Sequence, residues 1–223
     1  MTSSELLPKN EDVCLAYSFI EDKIRRADVL ALYAFLEALR DVPERVTDPL
    51  LGEIRLRWWF EAVEDIQSGR SPRYHPLTAA LERLVGQYGL DTKVLCDLIE
   101  GQMPLLEKGA LTIKQALGIV DRGEGNFVRL ASTILTGAPV DLTEAMRLWG
   151  MARLKSTRGL SDAGEAEFAH LLREARLQVK GLSSDLFPLV LPGVLTYGLW
   201  HGQSYGPLEK RLRLLWAYAI GRL

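Results

Sequence analysis

Apolar side chains along this chain recur at three- and four-residue intervals. Val29, Leu32, Tyr33, Leu36 and Leu39 fall on one helix face, and Leu77, Ala80, Leu81, Leu84, Val85 and Tyr88 repeat the pattern. Alternating strand patterns and Asn-Gly hairpin signals are missing. The punctuation is helical too. Gly89 is placed to close one helix and Asp91 to cap the next, which Gly109 would stop. Thr112 and Gln115 read as a capping box, because hydroxyl and amide can each satisfy a free backbone N–H. Asp141 with Glu144 gives a similar start signal, and Gly181 with Ser183 and Ser184 a break. Gly206-Pro207 opens a last helix whose Leu208, Leu212, Leu215 and Ala219 share a face. The pattern predicts an all-α domain of about nine or ten helices joined by short loops.

No low-complexity linker or internal repeat divides the chain, so residues 1–223 are expected to form a single domain. The softest places are residues 1–11, expected to be flexible, the turn at 67–76 and the stretch 159–164. A chain of 223 residues buries about 70% of its unfolded surface and needs no disulfide or metal staple. Apolar residues at 48% and charged residues at 25% are ordinary for a globular protein. A net charge of −2 gives no overall attraction to nucleic acid.

Cys14 and Cys96 lie far apart in apolar helical windows, where cysteine usually acts as a small hydrophobe. His75, His170 and His201 form no zinc-type pair. The first dozen residues do not read as a secretory signal. The most apolar stretch, Leu186 to Trp200, has 15 residues interrupted by Pro188 and Pro192, too short and broken to span a bilayer. It is expected to be a buried helix. The compartment implied is the cytoplasm, with peripheral contact at the inner membrane face as an alternative.

Residues 31–63, ALYAFLEALRDVPERVTDPLLGEIRLRWWFEAV, carry the most distinctive pattern. They read as two helices joined near Thr47-Asp48-Pro49. Glu37, Asp41 and Glu44 are spaced by four and three residues, so these acids can share a face of the first helix. Glu53, Arg55, Arg57 and the Trp58-Trp59 pair lead the second. Glu53 and Arg55 are placed to pair with the acids of the first helix, and the tryptophans to pack at the core and its rim.

This stretch resembles the squalene/phytoene synthase family, closest to the branch that includes a mitochondrial complex I assembly factor. Tyr33, Glu53, Arg55, Trp58 and Trp59 carry much of the likeness. Weaker similarity continues through 125–135, 149–159 and 207–223. The resemblance implies an isoprenoid synthase-like helical bundle around a central apolar cavity. Active members join two prenyl diphosphates head to head, and Mg²⁺ bridges two Asp-rich motifs on facing helices to the diphosphate.

Against that pattern the acidic positions are eroded. Aligned on Tyr33-Ala34-Phe35, the acids of the first DxxxD motif fall at Arg40 and Glu44. The second motif belongs near 149–160, where no carboxylate occurs between Glu144 and Asp162. That window holds Arg147, Arg153, Lys155 and Arg158 instead. If the chain were active, Glu37, Asp41 and Glu44 would be the metal candidates, with Asp162 or Glu165 covering the second motif. The acids also read as a solvated face or a partner surface. Arg153, Lys155 and Arg158 are candidates for an anion, diphosphate or lipid head group, or read as plain exposed surface. The resemblance therefore implies a non-catalytic accessory factor with a protein partner in a membrane-complex assembly pathway. An isoprenoid or anionic lipid is the other partner it suggests, and a Mg²⁺-dependent prenyltransferase is the alternative function.

Overall fold

A computed structural model describes residues 6–70 and 74–223. The elements in chain order are α1 (Glu11–Tyr17), α2 (Lys23–Arg45), α3 (Pro49–Gln67), α4 (Pro76–Tyr88), α5 (Thr92–Glu100), α6 (Ile113–Val120), α7 (Asn126–Thr136), α8 (Thr143–Arg158), α9 (Glu165–Gln178), α10 (Phe187–Val190), α11 (Thr196–His201) and α12 (Pro207–Ile220). No strand forms among the described residues; Leu111 and Leu160 make an isolated bridge. The chain is an all-α, isoprenoid synthase-like bundle.

Local chemistry sets most helix ends. Asp22 accepts from the Ile24 and Arg25 N–H groups to start α2, and Asp48 accepts from Leu50 N with Pro49 in the first turn of α3. Gly89 closes α4 in the left-handed region at φ 63°, and Asp91 caps α5. The Thr112–Gln115 capping box forms as expected.

Other boundaries depart from the sequence reading. α5 ends at Glu100, well before Gly109, and a 3₁₀ turn over Met103–Leu106 comes after it. Pro104 in that turn has no N–H to extend an α-helical ladder. Asp141 does not form a capping box with Glu144; it accepts from Thr143 N while Glu144 pairs with Arg147. The buried run 186–200 is not one helix but α10, a 3₁₀ turn over Leu191–Leu195, and α11, because Pro192 cannot donate to the ladder. Residues 71–73 of the expected soft turn lie outside the described set, as do residues 1–5. From Leu6 onward the N-terminal segment is laid against the bundle, with Asn10 capping α1.

One apolar cluster runs through the bundle, and α2 is its spine. Val29, Leu32, Phe35, Leu36 and Leu39 are completely buried. Beside it Tyr17 and Phe127 lie parallel and Tyr33 meets both edge-on, with ring centroids 5.2–6.2 Å apart. Beyond these rings, a π-helical segment over Asp121–Gly125 joins α6 to α7 and packs against α5 and α8. The approach of α8 depends on Gly150, where a Cβ would meet Val120 Cγ1 at 2.6 Å and Glu124 Cδ at 3.0 Å.

Candidate functional site

The centre of the bundle holds a buried ionic cluster. Arg40 projects from α2, Arg153 from α8, and Glu124 from the π-helical segment between α6 and α7. Arg40 Nη2 lies 2.6 Å from Glu124 Oε1, and Arg153 Nε donates to the same oxygen at 2.9 Å. The side chains of Arg40, Glu124 and Arg153 are 7%, 1% and 14% exposed. Arg40 Nη1 also donates to the Tyr33 hydroxyl at 3.1 Å. Arg40 Nε has no hydrogen-bond partner among the described residues.

Glu124 reaches this position through an unusual piece of backbone. A π-turn inserts an extra residue into the helical register and re-aims the side chains beyond it. α5 and α8 close on this segment through their own glycines: a Cβ at Gly101 would lie 2.9 Å from Arg122 Cβ, and one at Gly150 2.6 Å from Val120 Cγ1.

Burial opposes charge on Glu124, but the guanidinium groups of Arg153 and Arg40 overcome it and hold the carboxyl below its usual range. Burial likewise opposes the charge of Arg40, and Glu124, Tyr33 and Glu37 together more than restore it. Burial pushes the Tyr17 and Tyr33 phenols up, so both remain neutral beside the cluster. The result is two cations sharing one carboxylate in a dry interior.

Two of the expected metal candidates, Glu37 and Asp41, both engage Lys9. Glu37 accepts the backbone N–H groups of Lys9 at 2.6 Å and Asn10 at 3.0 Å. Asp41 pairs with Lys9 Nζ and with Arg45 at 3.0 Å. Glu44 is exposed beside Lys108 and Arg158. A one-residue offset along a helix turns a side chain by about 100°, so Asp41 leaves α2 in a different direction from Arg40. Magnesium prefers several hard oxygen ligands. The residues at the centre supply one carboxylate already held by two guanidinium groups and do not fit that ion. Among the described residues no group of three or more His, Cys, Asp or Glu side chains could hold a metal.

The basic window of α8 is engaged inward. Arg147 makes a bidentate pair with Asp121, at 2.7 and 2.8 Å, and a second pair with Glu144. Lys155 Nζ donates to the Trp200 carbonyl at 2.9 Å and sits over the Trp200 ring. Arg158 donates to the carbonyls of Leu105 and Glu107. Of the candidate anion site, Arg153, Lys155 and Arg158 thus each hold a different part of the fold. Helix periodicity sends neighbouring cations to different faces, which clustering along the chain cannot reveal.

On α3, Trp59 is buried edge-on to Phe35, and Trp58 is half-buried, as core and rim packing requires. Glu53 and Arg55 are exposed, and neither pairs with the acids of α2 among the described residues. Cys14 and Cys96 are half-buried; burial raises both thiols, Cys96 to about 11, so neither is poised to react. Glu124 itself escaped the sequence reading. Its signal was an acid set between two glycines in the run 121–126.

Residues 9–155 match the profile of the squalene/phytoene synthase family. The chain belongs to that family. Among curated proteins, human NADH dehydrogenase (ubiquinone) complex I, assembly factor 6 is 26% identical over 132 residues. The match covers 59% of this chain and 39% of the human protein, so the chain spans about two fifths of that relative's length. No helix among the described residues is long and apolar enough to cross a membrane.

Proposed function

We propose that this chain is a non-catalytic member of the squalene/phytoene synthase family, acting as an accessory factor in the assembly of a respiratory membrane complex. The observation that carries this reading is the Arg40–Glu124–Arg153 cluster. Prenyl diphosphate chemistry needs divalent cations held by carboxylates, so that the leaving diphosphate is neutralised as the carbocation forms. Here the corresponding interior is filled by guanidinium groups fixed on a single acid. The likeness to a complex I assembly factor supplies the type of partner, a protein of a membrane complex under construction.

Two measurements test the proposal. Purified protein given Mg²⁺ and farnesyl or geranylgeranyl diphosphate is expected to release no diphosphate above the buffer rate; enzyme-like turnover abolished by Asp41→Ala would establish a prenyltransferase instead. Deleting the gene in its host is expected to lower the amount of assembled NADH dehydrogenase complex on native gels. An unchanged level rejects the assembly role.

A further inference from the structure

The last helix turns its most apolar face outward. The shared face expected over Leu208, Leu212, Leu215 and Ala219 is present, but it does not enter the core. Leu208, Leu212 and Leu215 are 70%, 57% and 53% exposed, and Trp216 beside them is 69% exposed. The helix is held from its opposite side by Leu214 and Ala217, both buried, and by Tyr218, whose ring meets Phe19 at 4.7 Å. At 100° per residue the four shared-face positions fall within a narrow strip, flanked on one side by Trp216, Glu209 and Ile220 and on the other by Arg211.

Charge is concentrated in the same place. Residues 207–223 carry Lys210, Arg211, Arg213 and Arg222 against Glu209, a net of +3 in a chain whose total is −2. At the C-terminal end of α12 a cleft of about 610 Å³ is lined by Arg176, Lys180 and Arg222 together with Val179 and Ile220. Ile220 joins that cleft to the apolar strip. Arg176 Nε already donates to the Leu223 carbonyl at 2.9 Å, Lys210 pairs with Asp12 and Arg213 with Glu209, while Arg211, Lys180 and Arg222 reach solvent.

We infer that the outer face of α12, with the cation-lined cleft at its end, is the surface by which this protein lies on an anionic lipid bilayer. A helix with one apolar face and flanking cations sinks its hydrophobic side chains to the level of the acyl boundary while arginine and lysine meet the head groups. Tryptophan suits that depth, with an apolar ring and one N–H donor. A second copy of the chain is a poorer occupant, because it would bring the same cations to the same border. The inference is independent of the accessory-factor reading.

Co-sedimentation of the purified chain with vesicles tests it. Binding is expected to equimolar phosphatidylcholine–phosphatidylglycerol vesicles and to fall about tenfold or more on pure phosphatidylcholine or in high salt. Leu212→Ser with Trp216→Ser is expected to abolish binding without shifting thermal unfolding, since those side chains meet solvent in the free protein. Arg211→Glu with Arg222→Glu is expected to weaken binding to the anionic vesicles about tenfold or more. No binding to either vesicle, or unchanged binding by the serine variant, overturns the inference. So does a dimer in sedimentation velocity that the serine substitutions dissociate.

Discussion

Arg40 of α2 and Glu124 of the π-helical segment face each other across the bundle core at 2.6 Å, with Arg153 of α8 on the same carboxylate oxygen. Two guanidinium groups converge there on a single acid. A buried charge is tolerated only when it is paired, so the three side chains have become one structural unit.

Removing the carboxylate should therefore be severe. Glu124→Gln leaves both arginines buried without a counter-charge and is expected to cost about 3–5 kcal/mol. Urea unfolding measures it. Replacing all three members together with apolar residues of similar volume, Arg40→Met, Glu124→Leu and Arg153→Met, is expected to recover most of the loss. A stability near wild type for the single variant would mean that the cluster is not coupled in this way.

Acid should reveal the same carboxylate. The folded pKa of Glu124 lies below its unfolded value of about 4.3, so its stabilisation is complete above that pH and fades as pH falls through the folded value. Asp141, lowered by its bonds to Thr143, acts in the same direction. Stability is expected to be level near neutrality and to drop below about pH 4. In the Glu124→Gln variant the slope should shrink by the share of one proton, which urea midpoints over a pH series can resolve.

Gly150 sets how closely α8 approaches the π-helical segment. An added methyl would lie 2.6 and 2.8 Å from the two Val120 methyls and 3.0 Å from Glu124 Cδ. Gly150→Ala is expected to cost about 1–3 kcal/mol, as overpacking of a tight core does. Because Ala is the better helix former, an increase in stability would show that α8 can shift away freely.

The cations of α8 should not behave as an open anion site. Arg153, Lys155 and Arg158 already donate to Glu124, to the Trp200 carbonyl and to the carbonyls of Leu105 and Glu107. Added inorganic diphosphate is expected to leave the thermal unfolding midpoint unchanged apart from the general effect of salt, for which sulfate at equal ionic strength is the control. A saturable rise specific to diphosphate would restore these residues as a binding site.

Much of the fold was written locally. Helical periodicity, the Asp48-Pro49 start, the Gly89 stop and the Thr112–Gln115 box each act over a turn or two of chain, and each appears where the sequence placed it. The family likeness was also legible, since it depends on the order of residues alone. Tertiary structure decided the rest. It paired Lys9 with Asp41, turned the α12 leucines outward and sent the α8 cations to separate partners. Above all it chose Glu124 as the counter-charge of Arg40, 84 residues away. Electrostatic pairing in a buried interior depends on distance through space, and a one-dimensional pattern carries no record of that distance.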